Sequence, residues 1–304
     1  MRTLFTCFII LFVFAGKAQN LIPNPGFEEY TKCPTQVSEL SKAKYWKSAT
    51  KGTPDYYCTC ASAEGYSEAG VPLNRMGTMQ PKSGNAYVGL IIFNTVNKDT
   101  EREYIQAKFI QPMVEGRKYC IQFYVCLAKN STVSSDAIEA YISEKQVSAK
   151  KWTQLPYSPQ IQNKNGIIGD MDNWTLIKGT YTSIGNEQYL TIGNFKDARH
   201  VNVKPTHHSL YGYSYYYIDD ITAIDVTDSA GYADETEDTS EMVAAPANIK
   251  PDSITLDSSI VLKNVFFETD KAILQAVSYT ELNKLSAYLN SHPTYHIAIS
   301  GYTD

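Results

Sequence analysis

The sequence predicts a mainly β chain: a two-sheet antiparallel sandwich, then an acidic disordered linker, then a partial α/β unit of β-α-β form. Three observations predict it. Short runs rich in Tyr, Thr, Val and Ile are broken by Gly, Pro and Asn, with little helical periodicity. From Asp228 to Glu241 the acids Asp234, Glu235, Glu237, Asp238 and Glu241 occur with no Lys or Arg between them. After Ile260 a strand-like run gives way to a helical period and then to a second strand period.

Taken in order, Met1-Arg2 supplies a positive start and Leu4 to Phe14 an apolar stretch. Gly16-Lys17-Ala18 then places small residues at a cleavage site. Residues 1–18 are therefore expected to be a signal peptide, with a mature chain from Gln19. Cys7 lies inside the apolar stretch and makes a poor lipoprotein cysteine. No other apolar run approaches the ~20 residues that a membrane helix needs. Residues 19–226 are expected to form the sandwich. Its strand candidates are Ala86 to Phe93, Tyr104 to Ile110, Lys118 to Ala128, Ala137 to Ser143, Thr175 to Tyr181, Gln188 to Phe195 and Tyr215 to Ile224. In the third of these, Tyr119, Ile121, Phe123, Val125 and Leu127 share one face, while Cys120, Gln122, Tyr124 and Cys126 share the other.

The expected mature chain holds Cys33, Cys58, Cys60, Cys120 and Cys126, an odd number for an oxidising compartment. Cys33 and Cys60 both lie in loop-like sequence, so their disulfide is the first expectation and Cys33 to Cys58 the second. Cys120 and Cys126 sit about 20 Å apart on one strand at ~3.3 Å per residue, beyond disulfide reach, and read as buried hydrophobes. Cys58-Thr59-Cys60 has no second ligand cluster to complete a zinc site. Tyr211, Tyr213, Tyr215, Tyr216 and Tyr217 form the densest aromatic cluster. They are either core and rim or a surface that stacks on sugar rings. Tyr215 and Tyr217 should point one way and Tyr216 the other. His207-His208 reads as a solvated loop rather than a metal site. A net charge of −5 argues against a nucleic-acid partner.

Several short words add a resemblance. Asn24-Pro25-Gly26-Phe27-Glu28, Trp46, Gly116-Arg117-Lys118-Tyr119 and Tyr217-Ile218-Asp219-Asp220-Ile221 resemble jelly-roll modules of the carbohydrate-binding, galactose-binding-like type. With Cys33-Pro34, Asp55-Tyr56-Tyr57 and Gly193-Asn194-Phe195, and with the terminal segment, they also resemble an exported two-part architecture common in the Bacteroidetes. The resemblance implies neighbouring first and last strands and a structural calcium held by Glu28 and Asp220, oxygen ligands suited to a hard cation. The other reading is that these carboxylates pair with turn amides or arginines. No other cofactor is expected.

Residues 227–256 are expected to be the linker, kept extended by like charge and few apolar groups. Beyond it, Ile260, Val261, Leu262, Val265, Phe266 and Phe267 form a strand-length run closed by Glu268-Thr269-Asp270. Ser278 and Glu281 stand at capping-box spacing, and Leu282, Leu285 and Leu289 put one helical face on a core. Pro293 ends that helix, and Tyr295, Ile297 and Ile299 alternate as a strand before Gly301-Tyr302-Thr303-Asp304. Residues 257–304 thus resemble the first half of the OmpA-like peptidoglycan-binding domain. The resemblance implies that Asp304, beside Thr303, holds the ammonium group of diaminopimelate in the cell-wall stem peptide through a charge-assisted hydrogen bond. That family's arginine-bearing second helix does not occur before Asp304, so the site is expected to be incomplete in this chain.

These readings predict a non-catalytic exported protein of the periplasm and outer membrane. It would be anchored to peptidoglycan, with a jelly roll that presents a surface to a glycan or an envelope protein. Two alternatives stand beside it: a secreted carbohydrate-binding protein or glycan hydrolase, and an outer-membrane β-barrel with a wall-binding tail. No nucleophile and base are specified by spacing, although a glycosidase needs only two carboxylates.

Overall fold

All seven expected strands form, and none of their ends moves by more than two residues. The computed structural model describes residues 19–63, 65–98, 101–206 and 212–228, together with Leu282, Leu285 and Leu289. The chain divides into two units, Met1–Asp234 and Glu235–Asp304. In the first, the strands are β1 Trp46–Ser48, β2 Asp55–Cys58, β3 Leu73–Asn74, β4 Gly77–Thr78, β5 Ala86–Asn94, β6 Ile105–Lys108 and β7 Lys118–Leu127. They continue with β8 Val133–Ser135, β9 Glu139–Ser143, β10 Ile161–Gln162, β11 Thr175–Thr182, β12 Tyr189–Gly193, β13 Val203–Pro205 and β14 Tyr213–Asp225. In the second, Leu282, Leu285 and Leu289 are helical and half-buried, as the apolar period at those positions requires. The expected signal peptide, His207-His208, Tyr211, Thr303 and Asp304 lie outside the described residues.

Two five-stranded sheets face each other, in the orders β1-β6-β12-β9-β10 and β11-β7-β14-β5-β2. Every pairing within them is antiparallel, and the arrangement is a jelly-roll sandwich. Alternation along each strand decides what lies between the sheets. Tyr119, Ile121, Phe123, Val125 and Leu127 of β7 all enter the central core, where they meet Ile105, Ala107, Leu190, Ile192, Ala140 and Ile142 of the other sheet. Both sheets have free edges, at β1 and β10 and at β11 and β2, so they do not close into a barrel. The outer-membrane barrel alternative fails on that point.

Neither outer face is left bare. The segment carrying β3 and β4 lies over the second sheet and buries Tyr57, Tyr87, Tyr215 and Tyr217 with Val71, Met76, Met79 and Cys126. Tyr216 faces the central core instead, as its opposite parity requires. Ring fit here depends on one glycine: a Cβ on Gly89 would stand 2.2 Å from the Tyr215 hydroxyl oxygen. Over the first sheet, Val147 and Leu155 pack with Ala49, Tyr104 and Phe195 in a smaller cluster.

The opening segment runs beside the last strand, as expected: Leu21 N–H donates to Ala223 O at 2.8 Å and Ile221 N–H to Pro25 O at 3.0 Å. Cys33 and Cys60 form the disulfide. The second-choice pairing is excluded, since Cys58 is a free, buried thiol at the end of β2. Cys126 is likewise free and buried, and burial pushes its thiol up to about 12.

Candidate functional site

Three rings of the tyrosine cluster singled out in the sequence belong to the interior and offer no sugar platform. Tyr215, Tyr216 and Tyr217 are buried, with hydroxyls committed to the interior. Tyr215 O–H donates to the Asp55 carboxylate, and Tyr57 O–H donates to the same Oδ2 at 3.0 Å. Tyr217 O–H donates to Asn74 Oδ1 at 2.8 Å, and Asn74 Nδ2 donates to Tyr87 Oη at 3.0 Å. Burial raises the Asp55 carboxyl above the usual carboxylate range, and with neighbouring acid it raises the Tyr57 and Tyr215 phenols well above theirs. This network holds the β3–β4 cover down.

Glu28 and Asp220 do come to one place, where the opening segment, the turn over residues 82–86 and a bulge of β14 meet. The bulge lies between Asp219 and Thr222, and Asp220 has φ of 49°. A Cβ on Gly26 would lie 3.4 Å from Asp220 Oδ1 and 3.9 Å from Glu28 Cγ. Both carboxylates, however, already have partners. Glu28 Oε1 accepts from the Asn85 and Ala86 amides at 2.8 and 3.1 Å, and Asp220 Oδ1 accepts from Ser83 Oγ at 2.6 Å. The neighbouring Asp219, fully buried, accepts from the Lys82 and Ser83 amides and from that of Asp220, and burial raises its carboxyl well above the ordinary value. Among the described residues no three His, Cys, Asp or Glu side chains are arranged to hold a metal ion. The observed partners match the turn-amide reading, with a serine hydroxyl added.

A different surface carries an exposed aromatic side chain in a shallow cleft. Ahead of β1, the chain Lys44-Tyr45 turns tightly between Ala43, which bridges to Tyr30, and the buried Trp46. Asn24 grips this turn: its Nδ2 donates to Glu29 O at 2.8 Å and to Lys44 O at 3.1 Å, and its own carbonyl accepts from Trp46 Nε1 at 3.0 Å. Lys44 N–H donates to Glu29 O at 2.9 Å, and the Trp46 and Phe27 rings pack with centroids 4.9 Å apart. The backbone at Tyr45 is consequently held at φ 71°, a left-handed conformation that costs a residue with a Cβ about 1–2 kcal/mol. Tyr45 is 58 % exposed. It lines a shallow cleft with Thr31, Ser41, Lys44, Lys47 and Lys108, floored by Ala43 and Trp46.

The sequence reading used Trp46 only as part of a resemblance and passed over Tyr45 and the three lysines. Tyr45-Trp46-Lys47 does carry a local signal: Trp46 inward fixes Lys47 outward on an edge strand. The left-handed turn that exposes Tyr45 carries none, because φ at a non-glycine residue is set by its partners.

No family model matches the chain, and no curated protein matches it. Among solved structures, it is similar to the CBM22-1 xylan-binding domain from Paenibacillus barcinonensis Xyn10C, at 13 % identity over 70 % of this chain and 98 % of that one, with a TM-score of 0.37. It is also similar to TmCBM61, solved with β-1,4-galactotriose (11 %, 68 % of this chain, 99 % of that one, TM-score 0.34). A third likeness is to the K3 cleaved adhesin domain of Lys-gingipain from Porphyromonas gingivalis w83 (10 %, 67 % and 96 %, TM-score 0.33). Likenesses this distant carry no argument about what this chain binds.

Proposed function

We propose that the sandwich is a non-catalytic glycan-binding module of an exported protein, with the Tyr45 cleft as its binding surface. The observation that carries this is Tyr45 itself: an exposed aromatic ring fixed on a left-handed backbone by buried partners. Strain that the surroundings sustain at an exposed side chain points to use rather than packing. An aromatic face with hydroxyl groups beside it suits a sugar ring, which offers an apolar C–H face and a rim of hydroxyls. The test is a glycan array and calorimetry with the full chain and Tyr45→Gly. Glycan binding that the variant loses supports the reading, and binding unchanged in the variant removes the cleft from it.

A second reading concerns the terminal segment, which is to anchor the protein to peptidoglycan through Asp304 and Thr303. Its support is the resemblance of residues 257–304 together with helical Leu282, Leu285 and Leu289, the positions an apolar helix face there requires. Sedimentation with purified sacculi tests it. The chain should pellet weakly, a chain extended by the arginine-bearing helix strongly, and the extended chain with Asp304→Ala about ten-fold less well, as loss of a hydrogen bond to a charged group implies. Equal pelleting by all three removes the anchor.

A further inference from the structure

The charged side chains lining the Tyr45 cleft all have one sign: Lys44, Lys47 and Lys108. They stand there on a chain whose net charge is −5. Strand register places two of them: Lys47 lies opposite Gln106, and Lys108 follows two residues later on β6, on the same outward parity. Lys108 Nζ also stands 5.9 Å from the ring centroid of Tyr189, its partner on β12. Lys44 lies 3.6 Å from Glu29, with about half of each side chain in solvent, a pairing worth ~0–1 kcal/mol that a ligand anion can exchange for. A neutral sugar uses a ring face and hydroxyl partners, and gains little from three ammonium groups. A ligand with fixed negative charge on its rim gains from each of them.

We infer that the cleft takes an anionic glycan, one whose sugar units carry carboxylate or sulfate groups, with Tyr45 beneath a ring and the lysines on the acid groups. The inference rests on the glycan-binding reading above. The experiment is calorimetry of the full chain with three probes: oligogalacturonate for carboxylate, a carrageenan oligosaccharide for sulfate, and a xylo-oligosaccharide as the neutral comparison. At low salt, at least one anionic probe should bind ten-fold or more tighter than the neutral one, and the preferred probe identifies the acid group. Lys47→Gln with Lys108→Gln should weaken anionic binding about ten-fold and neutral binding far less, and added salt should mimic the double variant. Tyr45→Gly should weaken both. Neutral binding as tight as anionic, indifferent to the lysines, overturns the inference while sparing the glycan reading. Anionic binding that survives Tyr45→Gly is simple ion exchange and also overturns it. Binding of none of the three overturns both.

Discussion

Glu103 lies just ahead of β6 and serves the bulge of β5, where the pairing with β14 slips between Ile91 and Phe93. Its Oε2 accepts from the Ile91 amide at 2.8 Å and its Oε1 from the Thr53 amide at 2.7 Å, so one carboxylate meets donors that the sheet leaves unpaired. Burial nonetheless pushes it up to about 7. A carboxyl with a raised folded value contributes stability that is full below its unfolded value, near 4.5, and is lost as pH rises through about 7. The gap corresponds to about 3 kcal/mol. Urea unfolding at pH 5 and pH 8 should therefore show the protein weakening with pH, and Glu103→Gln should reduce that difference, with Asp55 and Asp219, also raised by burial, carrying the remainder. An equal slope in the variant would assign it elsewhere. Tyr45 gives the opposite kind of residue-scale prediction. Glycine accepts φ of 71° freely, so Tyr45→Gly should keep or raise the unfolding free energy, by up to about 1–2 kcal/mol, while it weakens glycan binding. A clear loss of stability would make Tyr45 a packing residue.

At the scale of elements, the 3-10 helix Thr59–Ser62 and the loop bearing Cys33 are joined by the disulfide, across 27 positions of sequence. In the loop-closure account such a cross-link contributes about 3.5 kcal/mol. Cys33→Ala with Cys60→Ala should lower the guanidinium midpoint accordingly, and a change under about 1 kcal/mol would show that the loops are held by other contacts. The expected strands were legible because each runs for several residues with an apolar period facing the central core. The missed ones had no such period to read. β1, β3, β4, β8, β10 and β13 span two or three residues each. All four residues of β2 are buried, because the β3–β4 cover closes over the face that alternation would have left to water. The same cover decides between the two readings of Tyr215 and Tyr217: parity fixes which side a ring takes, not what will lie upon it.

At the scale of the molecule, the described sandwich is joined end to end by its opening segment lying on β14. Arg117 closes the same end through paired contacts with Asp225 and, at 2.8 Å, Asp228. A chain of residues 19–228 is expected to stay soluble without detergent and to unfold in one cooperative step, checked by far-ultraviolet circular dichroism. Obligatory detergent would count against the sandwich as an independent unit. The site was less legible than the fold, because Tyr45, Lys47 and Lys108 meet only through the pairing of β1 with β6, in which Trp46 lies opposite Ala107 and Lys47 opposite Gln106. The buried phenols of Tyr57, Tyr87, Tyr215 and Tyr217 have one further consequence. Each is held far above its ordinary ionisation in the folded state, so none can become a phenolate while the cover is closed. Base should therefore leave these four phenols silent until the fold gives way, and their tyrosinate absorbance should then appear abruptly. The chain thus carries its own optical gauge of the native state, readable without any added dye.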